Sequence, residues 1–336
     1  MHRDTLVEQF VRDQAKVPGA SGELSTVLNR ISLAGRMIAL EIMKAGFVGK
    51  LGLTGEKNIQ GEEVRALDVI SNEIFLEVFE HIDVVHSMAS EEMDEAHFYA
   101  GPRQGKYLLM FDPLDGSSNV NVNGPMGTIF SVHERRRPSE EVGLDDFLCK
   151  GHEQSAAGYV LYGPSTMFVY TAGGPVNGFT LDRSVGAFFL THPSMQIPEG
   201  RGSYAVNESN ETQWDEPTRN MVRAFRTGET AERIGKRSAR YIGALVADFH
   251  RTMIQGGIYM YPADKTATDG KLRLLYECAP LAMVARQAGG WASTGTDDVL
   301  DIQATELHQR VPFYIGSRGD VEEALRLLRT EPGTDR

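Results

Sequence analysis

Seven short apolar runs fill the middle of the chain and constrain its fold more than any other feature. They are Ile82 to Val85, Tyr107 to Phe111, Gly127 to Val132, Ala157 to Tyr162, Met167 to Tyr170, Gly178 to Leu181 and Ala187 to Leu190. Each is rich in aromatic and β-branched residues and bounded by Gly, Pro or Asp, the punctuation of strands. Helical periodicity flanks this block on both sides. Upstream, Thr5 has Glu8 three residues on, a capping-box pattern. Leu24, Leu28, Ile31, Ile38 and Ile42 then recur at helical spacing, with Gly46 as a stop. Val64, Leu67, Ile70, Ile74 and Val78 mark a second long helix. The glycine-rich stretch Gly49 to Gly61 between the two reads as a mobile loop. Downstream, helices are expected at Glu216 to Phe225, Tyr241 to Ile254, Leu274 to Ala288 and Val321 to Leu328, with a strand at Gly257 to Tyr261. Strand blocks alternating with helices give an α+β or layered α/β architecture. Composition turns loop-like at Pro193 to Gly202, so two domains are expected, 1–197 and 198–336.

A chain of 336 residues accommodates roughly two domains and folds without disulfides or metal as staples. With 41% hydrophobic and 24% charged residues, disorder and collagen-like structure are excluded. A net charge of −12 argues against nonspecific adsorption to nucleic acid or anionic lipid. Anionic substrates remain open to it wherever basic residues or bound cations gather in one cleft. No apolar run approaches the ~18–20 residues of a membrane span, and MHRDTLVEQF lacks the apolar core of a signal peptide. A soluble, cytoplasmic protein is the expectation. Cys149 and Cys278 match no ligand spacing and read as small buried hydrophobes. His81, His86 and His97 likewise lack metal-site spacing.

The chemistry concentrates in acidic residues. Asp112-Pro113-Leu114-Asp115-Gly116-Ser117-Ser118 directly follows the apolar run 107–111, which puts two carboxylates at the exit of a buried strand. Pro113 fixes φ and suits a tight turn aiming Asp112, Asp115 and the Leu114 carbonyl at one point. Gly116 permits close approach, and Ser117-Ser118 offers hydroxyl and N–H donors to an anion. Ser90-Glu91-Glu92 follows another apolar stretch; adjacent glutamates there are commonly solvated, but oxygen ligands from two strand ends suit Mg²⁺ or Mn²⁺ better than zinc. Asp68 sits mid-helix among apolar residues, where a salt bridge to Arg65 would be the bland explanation. Glu277 lies in an apolar helix, where an unpaired carboxylate is costly. Arg240, Tyr241, Tyr261, Lys271 and Arg273 read either as a solvated face with core tyrosines or as a phosphate pocket. GxGxxG after a strand, GxxxxGK[ST], GxSxG and HExxH are all absent, and Arg135-Arg136-Arg137 is too short to support nucleic-acid binding.

These segments resemble the class I fructose-1,6-bisphosphatases, members of the inositol-monophosphatase-like metal-dependent sugar phosphatases. The resemblance runs from about Thr5 to Leu328. It is carried by GELSTVL (22–28), LDVISN (67–72), SEE (90–92), KYLLMFDPLDGSSN (106–119), GTIFSV (127–132), RYIGALVADFHRT (240–252), GGIYMYPA (256–263) and GKLRLLYE (270–277). It implies a sugar-phosphatase fold of alternating helix and sheet layers, with an allosteric and metal-binding N-terminal domain and a sugar-phosphate-binding C-terminal one. It implies Mg²⁺-dependent hydrolysis of fructose 1,6-bisphosphate, with two or three metals held by Glu91, Asp112, the Leu114 carbonyl, Asp115, Glu277 and, more weakly, Glu62. Asp68 and Glu92 would polarise the attacking water. Asp115, Gly116, Ser117, Ser118 and Arg273 would hold the 1-phosphate and sugar hydroxyls. Asn207, Tyr241, Tyr261 and Lys271 would hold the 6-phosphate. Arg240 would reach a neighbouring subunit's site in a homotetramer. Gly22, Glu23, Ser25, Lys106 and Tyr107 match an inhibitory AMP site.

Two departures stand out. Asn210 occupies the place of a tyrosine on the 6-phosphate, and Glu134 that of a nucleotide-binding arginine, with Arg135 one residue later. A carboxylate facing a phosphate is repulsive, so AMP inhibition is expected, weakened by Glu134. The regulatory cysteine loop of the chloroplast enzymes is absent. The rival readings are a sedoheptulose-1,7-bisphosphatase or dual-specificity phosphatase, an inositol monophosphatase, and a non-catalytic sugar-phosphate sensor. The presence of every hydrolytic carboxylate argues against the sensor.

Overall fold

The computed structural model describes residues 4–16, 20–45, 53–57, 63–99, 104–136 and 142–329. Thr5 caps helix α1 (Leu6–Ala15) with the expected reciprocal bonds to Glu8. Helix α2 (Glu23–Lys44) follows, then an antiparallel hairpin of β1 (Leu53–Lys57) and β2 (Glu63–Arg65), then helix α3 (Ala66–Glu80). Of the stretch Gly49 to Gly61, expected as a loop, 53–57 form a paired strand, and the remainder lies outside the described residues. Val64 belongs to that hairpin, and α3 starts only at Ala66.

The strand block forms one eight-stranded sheet. Its members are β3 (Val85–Ser90), β4 (His97–Phe98), β5 (Tyr107–Asp115), β6 (Met126–Glu134), β7 (Gln154–Tyr162), β8 (Thr166–Thr171), β9 (Val176–Asp182) and β10 (Ala187–Met195), in the order β10-β9-β8-β7-β6-β5-β3-β4. The first apolar run is displaced: Ile82 to Val84 is a turn, because the Asp83 carboxylate accepts the N–H groups of Gln104 and Gly105 at 3.0 and 3.1 Å. The strand proper begins at Val85.

Strand β5 shows why these runs are apolar throughout rather than alternating. Leu109 and Phe111 pack with α1–α3 on one face, while Leu108 and Met110 pack with the C-terminal helices on the other. A sheet covered on both sides has no polar face to show in its sequence.

The second sheet comprises β11 (Ser203–Ala205), β12 (Ser238–Ala239), β13 (Gly257–Tyr261), β15 (Trp291–Ser293) and β17 (Phe313–Gly316), in the order β12-β11-β13-β17-β15. A two-residue pair, β14 (Leu272–Arg273) with β16 (Arg310–Val311), lies beside it. Helices α5 (Leu245–Gln255) and α6 (Ala279–Gln287) fill the space between the sheets, and α4 (Glu216–Thr227) and α7 (Arg318–Leu328) cover the outer face. The result is a layered α/β fold of helices, large sheet, helices, small sheet and helices. No helix among the described residues is long and apolar enough to cross a membrane.

Candidate active site

Residues Asp112 and Asp115 are an odd number of positions apart, so in a regular strand they would point to opposite faces. The β5–β6 register resolves this. Asp112 pairs with Ile129 and Asp115 with Gly127, so three steps on β5 oppose two on β6. The extra residue is a β-bulge, which re-aims the side chains that follow it. Pro113, with no N–H to give a ladder, suits that position. The bulge is pinned by the Leu114 N–H donating to Asp112 Oδ1 at 2.9 Å and by Thr128 Oγ1 donating to the Pro113 carbonyl at 2.9 Å. Asp115 is then free to accept the N–H groups of Leu245 (3.3 Å) and Val246 (2.7 Å) at the start of α5. Gly116, at φ +76°, turns the chain into a short 3₁₀ helix, Ser117–Val122.

Strand β3 runs parallel to β5, so their C-terminal ends lie side by side. The Glu91 N–H extends that ladder to the Phe111 carbonyl at 3.1 Å, and the Glu92 N–H bonds Ser90 Oγ at 3.2 Å. Glu277 arrives from a third direction. Leu274 to Cys278, expected as the first turn of an α-helix, is instead a π-turn that feeds α6. Such insertions re-aim one side chain inward, and here Glu277 Oε2 accepts the Arg273 N–H at 2.5 Å. The Arg273 guanidinium reaches Glu91 at 2.8 Å.

Carboxylate oxygens of Asp112, Asp115 and Glu277 all lie within 4.8 Å of one another. Burial, and then the negative charges of Glu91 and Asp115, push Asp112 well above the usual carboxylate range. Burial lifts Asp115 to about 7 against the pull of the two α5 amides, and lifts Glu277 to about 8 against the pull of Arg273. Clustered carboxylates that resist ionisation in this way fit a bound cation, which would neutralise their mutual repulsion. The donor set is all oxygen, the preference of a hard divalent metal. Cys278 next door is fully buried with its thiol held protonated. Cys149 Sγ lies 3.1 Å from His133 Nδ1, yet burial pushes the thiol up to about 12 and the imidazole down to about 4. That pair is inert, as expected of both cysteines.

The acidic cluster forms one wall of a cavity of 410 Å³. Asp68, Glu91, Glu92, Asp112, Leu114, Asp115, Gly116, Ser117, Ser118, Tyr241, Tyr261, Lys271, Arg273 and Glu277 all line it. Asp68 is buried and faces this space from α3. Two expected residues do not line it. The Asn207 side chain caps the 3₁₀ helix Glu208–Gln213 through Ser209, and Arg240 is exposed, its guanidinium bonding the Ala239 carbonyl. Glu62 lies outside the described residues. Tyr259, Gly243, Leu245 and Leu272 line the cavity without having been singled out. Tyr259 was findable: it shares a strand face with Tyr261, two residues on.

A second cavity, of 360 Å³, opens between α1, α2 and the sheet. Gly22, Ser25, Lys106, Tyr107 and Glu134 line it together with Asp13 and Gln14. The Lys106 ammonium sits 3.8 Å from both Glu23 and Glu134.

Comparison with known proteins places this geometry. Two family models match, "Fructose-1-6-bisphosphatase, N-terminal domain" over residues 4–193 and "Fructose-1-6-bisphosphatase, C-terminal domain" over 197–329. The class 1 fructose-1,6-bisphosphatase of Nitratidesulfovibrio vulgaris is 48% identical, covering 95% of this chain and 96% of its own. That of Maridesulfovibrio salexigens is 46% identical, covering 98% of each. The crystal structure of Leishmania major fructose-1,6-bisphosphatase in holo form superposes with a TM-score of 0.91 at 37% identity, covering 97% of this chain and 99% of that one. Its T-state structure gives 0.87 at 36% identity, covering 98% and 100%. With both family models matched, relatives alike across nearly the whole length and a shared fold, the chain belongs to the fructose-1,6-bisphosphatase family.

Proposed function

We propose that the chain hydrolyses D-fructose 1,6-bisphosphate to fructose 6-phosphate and phosphate in a Mg²⁺-dependent reaction. The observation that carries this reading is one cavity lined both by an acidic, metal-suited cluster and by Lys271, Tyr241 and Tyr261. Glu91, Asp112, the Leu114 carbonyl, Asp115 and Glu277 would hold two or three Mg²⁺ ions, with Glu62 as a further candidate. When bound, the metal neutralises the reacting phosphate and lowers the pKa of water.

The rest falls to the chain. Asp68 and Glu92 take the proton of the attacking water at a carboxylate oxygen, which requires a proton affinity raised by burial or by shared charge. The water oxygen bonds to phosphorus as the bond from phosphorus to the C1 oxygen breaks; the sugar alkoxide takes a proton from water in the cavity, and the proton held by Asp68 and Glu92 returns to solvent. Ser117, Ser118 and the backbone at Gly116 hold the 1-phosphate, with Arg273 beside them. Lys271, Tyr241 and Tyr261 hold the distal phosphate and fix the sugar for in-line attack. Because the transition state is loose, positioning and charge neutralisation supply most of the rate. Asn207 stays in the proposal with its carbonyl oxygen capping the 3₁₀ helix and its amide N–H groups as the donors to phosphate. Arg240, exposed and outside its own cavity, supports a homotetramer in which it acts on a neighbour.

The 360 Å³ cavity is the proposed AMP site, weakened by Glu134 because Lys106 is shared between two carboxylates. The deciding assay is phosphate release from fructose 1,6-bisphosphate by the purified protein with Mg²⁺ and with chelator. Release that needs Mg²⁺ supports the reading. No release, or release indifferent to the metal, refutes it.

A further inference from the structure

We propose that Asp248 is a positioning residue for the distal-phosphate end of the site: its carboxylate holds the turn that presents Tyr241. The inference rests on the fructose-bisphosphatase reading for what Tyr241 does, and on geometry alone for what Asp248 does. Apolar spacing predicts a helix beginning at Tyr241, yet α5 begins only at Leu245. The four residues before it form an irregular turn, with Gly243 at φ +84° and a Cβ at that glycine only 3.7 Å from the Tyr241 ring. What keeps the turn from continuing the helix is a carboxylate folded back on it. Asp248, 1% exposed in the first turn of α5, accepts the Ile242 N–H at 3.0 Å on each oxygen and the Gly243 N–H at 3.1 Å.

Beyond Ala244, the N–H groups of Leu245 and Val246 go to Asp115. Four amides of the segment 242–246 are thus divided between one buried carboxylate with no place in the proposed chemistry and one that lines the acidic cluster. Ala244, between the two pairs, packs against Gly116. Tyr241 directly precedes the two amides that Asp248 holds and lies on the same short segment that orients Asp115. A residue serving only the helix would bond amides inside it; Asp248 instead bonds the two amides that follow Tyr241.

The test compares full-length, Mg²⁺-loaded wild type with Asp248→Ala and Asp248→Asn, using two readouts. Hydrogen–deuterium exchange over residues 240–247 needs no substrate. Asp248→Ala is expected to exchange about 10-fold faster there, with the later turns of α5 and strand β6 unchanged. Kinetics then separates positioning from general damage. For fructose 1,6-bisphosphate, Asp248→Ala raises KM about 10-fold with kcat within about 3-fold, and Asp248→Asn, keeping one acceptor oxygen, falls between it and wild type. For fructose 1-phosphate, which lacks the distal phosphate, KM moves by less than about 2-fold.

Unchanged local exchange, or unchanged KM for the bisphosphate, overturns the proposal. So does an equal loss on both substrates with exchange raised throughout the protein. If Asp248→Ala fails to fold, Asp248→Asn carries both readouts. If wild type releases no phosphate from the bisphosphate, the functional reading falls by itself. The exchange measurement, with calorimetric binding of inorganic phosphate to each variant, then decides whether Asp248 holds the turn.

Discussion

Substituting Gly116 by alanine tests the site through one methyl group. The residue sits at φ +76°, where a side chain costs about 1–2 kcal/mol. Its Cβ would also fall 2.3 Å from the Ala244 Cβ and 3.1 Å from its Cα. Carbon atoms pack at about 3.5–4.0 Å, so the segments carrying Asp115–Ser118 and Ala244 must part by more than about 1 Å. Overpacking of this kind costs about 1–3 kcal/mol, giving a total of about 2–5 kcal/mol. That is within the stability of a folded chain, so the variant should fold. A misplacement of about 1 Å at reacting groups costs about 100-fold in rate, and that loss in kcat/KM is the expected result, together with a lower urea midpoint. The companion variant Ala244→Gly removes the opposing methyl at an N-cap, a position where glycine is tolerated. The double variant should recover most of the activity while keeping the φ cost. Steady-state kinetics and urea titration of all four proteins complete the cycle. A Gly116→Ala enzyme with wild-type kcat/KM and stability would refute the reasoning, as would a double variant no better than the single one.

Protons and metal should compete at the acidic wall. The raised values of Asp115 (about 7, from 3.8) and Glu277 (about 8, from 4.5) mean the metal-free native state holds protons that the unfolded chain gives up. Metal-free stability therefore falls as pH rises from about 4 through 8. Mg²⁺ should abolish most of that slope and release protons near pH 7, measured by calorimetry in buffers of different ionisation enthalpy; a flat profile and no proton release count against the cluster as a metal site. Lys271→Ala should raise KM for the bisphosphate about 10- to 100-fold with a smaller change in kcat, the share of one charge-assisted contact, and an unchanged KM removes Lys271 from the distal-phosphate site. Glu134→Arg should tighten AMP inhibition by about 10-fold or more, since it exchanges a repulsive charge for a forked donor; AMP titration of the two proteins decides, and indifference of both means the 360 Å³ cavity is not a nucleotide site.

What could be read in the sequence was what local chemistry encodes. The Asp112 to Ser118 segment carries its turn residues, its carboxylates and its anion donors within seven positions, and all but Pro113 line the cavity. The strands were legible because burial on both faces left contiguous apolar runs. Errors arose where a distant partner decides. Ile82 to Val84 sits in an apolar run bounded like a strand, but Asp83 ties it to the chain twenty-one residues on.

Pro113 announces a turn that gathers Asp112 and Asp115, but the two backbone irregularities that shape the site do not show in the periodicity. Periodicity predicts which face a residue occupies only while the period holds, and in this site it is broken twice. The bulge at Pro113 and Leu114 brings Asp112 and Asp115 to one side of a strand that would have parted them. The π-turn at Leu274–Cys278 turns Glu277 inward from an apolar stretch in which the lone carboxylate is the signal and the π-turn itself leaves none. Both are one-residue insertions into a regular element, and each places a carboxylate where desolvation opposes its charge. Irregularity and electrostatic cost thus fall on the same residues. Regular geometry keeps charge apart and exposed, so a cluster of buried carboxylates needs the backbone to depart from its period, and a bound cation to make that departure stable.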